Sequence, residues 1–222
     1  MALAKQALVE HRPWLLASVI ASVAYFFLSD GDLPGLQLAV LKASGVALLA
    51  VYALRRASGG GAIMIALYLA LCALADFAIE FSFLAGGAIF AAAHLFAIAL
   101  FLRNRRRTPS ASQKLLGVAL LIGVPAIAAL ITMPRENWQL AVSYAAVLAV
   151  MAASAWTSRF PRYRVGMGAV LFVVSDLVIF ARESGQIDGE LAGWLVWPLY
   201  YAAQLMIATG VVQTLRHEKV VA

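Results

Sequence analysis

Charge is what this chain has least of. Only 13% of its 222 residues are Asp, Glu, Lys or Arg, where soluble domains carry about 25%. So few charges cannot keep a surface in water when 64% of the residues are hydrophobic and the mean hydropathy is +0.89, so a soluble globular fold is excluded. Cysteine is nearly absent as well. Cys72 stands alone, which allows neither an intramolecular disulfide nor a thiolate metal cluster, and it reads as a small packing residue. Of the histidines His11, His94 and His217, only His94 falls within an apolar run, too few ligands for an intramembrane zinc hydrolase. No metal or other cofactor is expected. Also missing are segments of about ten residues with strict apolar and polar alternation, which a membrane β-barrel requires.

What the chain has in abundance is long hydrophobic runs. About 20 mostly apolar residues cross the ~30 Å hydrocarbon layer as a helix, and stretches of that kind lie at 13–29, 35–54, 61–80, 83–102, 115–132, 137–157, 165–181 and 191–215. The expected fold is all-α, a polytopic bundle of eight transmembrane helices forming one integral membrane domain over 1–222. The first run follows Lys5 and Arg12 as a signal peptide would, but it ends in "YFFLSDGD" with no small-x-small cleavage pattern and reads as an uncleaved anchor.

Charge placement sets the orientation. With N- and C-termini cytoplasmic, the inner segments hold 14 of the 17 Lys and Arg, among them Arg55, Arg56, Arg103, Arg159, Arg162 and Arg164. The outer loops keep Arg135 and Arg182 beside Asp30, Asp32, Glu136, Glu183, Asp188 and Glu190. The positive-inside rule is obeyed throughout, which suits a bacterial-type inner membrane. The basic run "RNRRRTPSASQK" reads as a cytoplasmic stop-transfer loop, so membrane lipids and not nucleic acid are the expected partners.

The seventeenth basic residue, Lys42, lies inside the second run. A charge at mid-membrane costs at least ~2.5–3.5 kcal/mol, so such groups face the protein interior and mark function. Asp76 and Glu80 in the third run, His94 in the fourth, Asp176 in the seventh and Tyr201 with Gln204 in the eighth complete the set. At 1.5 Å per residue, Asp176 lies roughly 16 Å and Asp76 roughly 22 Å from the inner face, with Lys42, His94 and Gln204 roughly 10, 16 and 20 Å from the outer one. One polar layer is expected between the midplane and the outer third. Spacing by four aligns Tyr68, Cys72, Asp76 and Glu80 on one stripe, Gly86, Phe90 and His94 on another, and Gly168, Phe172 and Asp176 on a third. Gly86, Gly87, Gly166 and Gly168 are expected to let helices approach closely. Glu80 reads as a solvated residue near the outer interface.

A faint echo links "LCALADFAI" with "LFVVSDLVI", which share Leu, Asp and Ile at positions 100 residues apart. The spacing admits a parallel repeat of 1–110 and 111–222, with three identities in nine as its whole support.

At these residues the chain resembles the YhhN-like lysoplasmalogenase family. The pieces are Lys42, "ALADFAIEF", "FLAGGAIFAAAHLF", "GAVLFVVSD" for a G-A-x-x-F-x-x-S-D pattern ending in Ser175 and Asp176, and "YYAAQLMIATG", with Tyr201 and Gln204, for Tyr-x-x-Gln-x-x-x-x-x-Gly. It departs at Ala75, where the family usually has Gly, and at Ala97, where an aromatic is frequent. The resemblance implies an eight-span enzyme that hydrolyses the vinyl-ether bond of alkenyl lysophospholipids, giving a fatty aldehyde and glycerophosphoethanolamine or glycerophosphocholine. It implies catalysis by Asp76 and Asp176, with Lys42, His94, Ser175, Tyr201 and Gln204 binding substrate or supporting them. Protonating a vinyl ether on carbon needs an acid held neutral near pH 7, and a carboxyl pair in a low-dielectric interior can serve as acid and conjugate base.

Two readings compete with this one. The aspartates can instead be helix-bridging partners of Lys42 or Tyr201, and buried Asp, Lys and His also compose the relay of a proton-coupled transporter. An intramembrane aspartyl protease is excluded by its signatures, since Asp76 follows Ala75 and Asp176 follows Ser175.

Overall fold

A computed structural model describes residues 12–29, 31, 33–133 and 135–221, with the side chains of 12 and 217–221 left out. Lys5, His11, Asp30, Asp32 and the side chains of Arg12, His217 and Lys219 therefore lie outside the description. The described chain is helical: α1 (Arg12–Leu28), α2 (Gly35–Arg56), α3 (Gly60–Ala78), α4 (Phe83–Arg103), α5 (Ala111–Thr132), α6 (Trp138–Thr157), α7 (Met167–Glu183) and α8 (Gly189–Val221). A π-helical turn, Arg162–Gly166, leads into α7. Among the described residues there is no strand, only one isolated bridge between Arg105 and Ser158.

Seven of these helices are long and apolar enough to cross a membrane, and Pro13–Leu28 is a shorter apolar helix. This is a multi-pass membrane protein. Leu115, Ile122 and Leu130 on α5 and Leu16, Ile20 and Phe27 on α1 are largely exposed, as side chains facing lipid are. The helices follow the expected apolar runs to within a few residues. The largest differences are at α8, which continues past the expected run to Val221, at α5, which begins early behind a capping box made by Ser110 and Gln113, and at Glu80, which falls in the turn after α3.

The chain divides into two compact units, Met1–Ala93 with Val211–Ala222 and His94–Gly210, the divisions falling inside α4 and α8. In the first unit α2 packs on α1 and on α3. The buried positions of α3, among them Ile65, Leu69, Cys72 and Asp76, recur every three or four residues on one face. A β-carbon on Gly45 would run into Ser22 Oγ, so this glycine lets α1 and α2 touch, and Ser18 Oγ fixes the contact by donating to Gly45 O at 2.5 Å. At the other end of the unit, a β-carbon on Gly86 would sit 2.6 Å from Ile79 Cβ.

In the second unit α6 packs against both α5 and α7. It can do so because alanines such as Ala149, Ala152 and Ala153 keep it thin enough to be buried on most sides. Gln113 Nε2 donates to Trp156 O at 3.1 Å, joining the start of α5 to the end of α6. Nearby, Arg159 donates through Nε and Nη2 to Asn104 Oδ1 at 2.8 and 2.6 Å. Three glycines seat α7. Added β-carbons would meet Trp156 Cε3 at 2.7 Å from Gly166, Ala203 O at 2.9 Å from Gly168, and Val165 Cγ2 at 2.6 Å from Gly210. Gly87 has no neighbour within 4 Å, so close approach explains Gly86, Gly166 and Gly168 but not Gly87.

Candidate functional site

In the second unit the polar layer gathers around Asp176. Spacing of four along α7 puts Gly168, Phe172 and Asp176 on its buried face, and Asp176 is 5% exposed. Tyr144 of α6 donates to Asp176 Oδ2 at 2.6 Å. His94, fully buried on α4, places Nε2 3.3 Å from the same hydroxyl. Asp176 and His94 are thus joined through a residue that the sequence reading did not select.

Aromatic rings enclose this chain. His94 meets Phe172 edge to face at 4.9 Å and Tyr144 at 5.9 Å, Tyr144 meets Phe180 at 6.1 Å, and Phe172 meets Tyr200 at 5.2 Å. These rings keep the local dielectric low, so the hydrogen bond between phenol and carboxyl group is stronger here than in water. From the same helix as Tyr200, Gln204 Nε2 donates to Tyr200 Oη at 3.2 Å, while Gln204 Oε1 has no hydrogen-bond partner among the described residues. Tyr201 stacks on Trp197 with ring centroids 6.2 Å apart. Ser175 Oγ donates to Val196 O at 3.0 Å and ties α7 to α8 two residues before Pro198.

The first unit holds the other group. Lys42 Nζ donates to Glu80 Oε1 at 2.5 Å and lies 5.6 Å over the ring of Tyr25. Asp76, 2% exposed on α3, is close enough for its charge to act on both Lys42 and Tyr25. Glu80 is exposed, as expected, and is also paired with Lys42, a partner that its position in the sequence did not indicate. Asp76 and Asp176 belong to different units. Among the described residues no three His, Cys, Asp or Glu side chains converge as metal ligands do.

The sequence pattern that contains both groups is a known one. A family model described as the YhhN family matches residues 37–211. The chain belongs to the YhhN family. The YhhN match takes in Lys42, Asp76, His94, Tyr144, Asp176 and Gln204, and runs from the first turn of α2 through most of α8. Neither the curated proteins nor the solved structures contain a match to the chain.

Tyr144 escaped the sequence reading because tyrosine is at home in apolar runs and carries no formal charge. One signal was present. Tyr144 lies six residues from the start of α6 and Asp176 seven from the end of α7, so consecutive, oppositely directed helices hold them at one depth, roughly 10 Å from the shared end.

Proposed function

We propose that this YhhN-family protein is a lysoplasmalogenase, an ether hydrolase acting on the vinyl-ether bond of alkenyl lysophospholipids within the membrane. The observation that carries the reading is the buried Asp176 at the end of the G-A-x-x-F-x-x-S-D pattern, held by Tyr144 inside a ring of aromatic side chains. A buried carboxyl group held by a hydrogen bond is suited to a reaction whose difficult step is proton transfer to carbon.

The chemistry assigned to the carboxyl group is as follows. A carboxyl O–H gives its proton to the β-carbon of the vinyl ether, and the α-carbon becomes an oxocarbenium ion. Water adds to that carbon and loses a proton to a carboxylate, which restores the acid. The resulting hemiacetal collapses to a fatty aldehyde and the free hydroxyl of the glycerophospho headgroup. Asp176 is the carboxyl group assigned to this proton transfer, and its alternation between acid and conjugate base is the one that carboxyl groups perform in glycosidases. Gln204 with Tyr201 orients water in this scheme.

Purified protein given an alkenyl lysophospholipid is expected to release one aldehyde per headgroup alcohol, and to leave the saturated alkyl-ether analogue intact. Cleavage of neither substrate, with uptake of the lipid or protons into sealed liposomes, would replace this reading with a proton-coupled transporter.

A further inference from the structure

We infer that Tyr144 is a positioning residue for Asp176, that His94 sets the direction of its hydroxyl, and that Asp176 therefore exchanges protons through Oδ1 alone. A phenol has one hydrogen to donate. At 2.6 Å from Asp176 Oδ2, the distance of a charge-assisted O–H···O⁻ bond, that hydrogen is committed to the carboxylate. The Tyr144 oxygen is left as an acceptor. The ring nitrogen 3.3 Å away, His94 Nε2, then meets it as a donor, in the tautomer that carries its hydrogen on Nε2.

The chain has one sense, from His94 N–H to Tyr144 O–H to Asp176 Oδ2. Both rings are locked, His94 against Phe172 and Tyr144 against Phe180, so neither can swing to another partner without losing packing. Holding Oδ2 fixes the plane of the carboxyl group and stabilises the anion left when Oδ1 gives up its proton. This serves Asp176 whether it acts first as acid or as base. A tie that only pins α4, α6 and α7 together would alter stability and leave kcat of the folded protein unchanged, and that difference can be measured.

Tyr144→Phe keeps the ring and removes only the hydroxyl. Resting on the proposed reaction, it is expected to lower kcat about 10- to 100-fold, the range for losing a hydrogen bond to a charged group, with KM within about twofold. His94→Gln, whose amide can still donate, is expected to retain at least about fivefold more kcat than His94→Leu. This pair tests the same chain if Tyr144→Phe does not fold. Independently of any substrate, the infrared carboxyl band of Asp176, identified by its loss in Asp176→Asn, is expected to shift in Tyr144→Phe. An unmoved band, a kcat equal to wild type, or a change confined to KM overturns the inference. A shifted band in a protein inactive on alkenyl lysophospholipid supports the positioning role and removes only the substrate assignment.

Discussion

At Gln204 the side-chain amide is fully buried, its nitrogen bonded to Tyr200 and its oxygen facing no protein donor among the described residues. A buried acceptor left this way costs about 1–3 kcal/mol, more than an apolar side chain of the same length in its place. In the proposed reaction this oxygen is the group offered to a water near the oxocarbenium carbon. Gln204→Met is expected to leave the thermal midpoint within a few degrees of wild type or raise it, while turnover falls about tenfold or more, the equivalent of ~1.4 kcal/mol. A thermal scan and an aldehyde assay on the same preparation check both halves. Gln204 was legible as a polar residue in an apolar run, and so were Lys42, Asp76, His94 and Asp176. Their partners were not. Glu80 looked like an interfacial charge, and Tyr144 passed for ordinary membrane composition, because which side chain meets which depends on how neighbouring helices are rotated, and a depth estimate carries no rotation.

Helix limits were easier to read than helix faces, since the length of each apolar run is set by the thickness of hydrocarbon. The exceptions have local causes: the capping box moves the start of α5 back to Ala111, and the π-helical turn at Arg162–Gly166 begins before the seventh apolar run. Glycines separate sharply at this scale. Gly168 lies where α7 crosses the backbone of α8, and an added β-carbon would fall 2.9 Å from Ala203 O, an atom that cannot rotate away. Gly168→Ala is expected to destabilise the protein by about 1–3 kcal/mol and, because Phe172 and Asp176 follow at spacings of four, to impair turnover as well. Gly87→Ala, in open surroundings, is the control. It is expected to be neutral or slightly stabilising, by up to about 1 kcal/mol for Ala over Gly within a helix. Denaturation of both variants in the same detergent decides the matter, and equal losses would show that the seating of α7 on α8 is not tight.

For the whole molecule, the all-helical multi-pass class followed from composition alone, because no other arrangement hides so much apolar surface with so few charges. Orientation rests on the distribution of Lys and Arg. With Cys72 the only cysteine, Cys72→Ala gives a background for labelling. On intact cells a membrane-impermeant maleimide is expected to modify Glu136→Cys and not Thr108→Cys, two exposed loop positions. The reverse pattern would overturn the cytoplasmic placement of the basic loops. The central claim is that a buried carboxyl group in this fold protonates a vinyl ether, and the most direct measurement is aldehyde release from an alkenyl lysophospholipid by purified wild-type and Asp176→Asn proteins of matched folding. The account predicts turnover by the wild type and its loss, by at least about a thousandfold, in Asp176→Asn, a barrier increase of ~4 kcal/mol. Undiminished aldehyde release by a folded Asp176→Asn protein would contradict it.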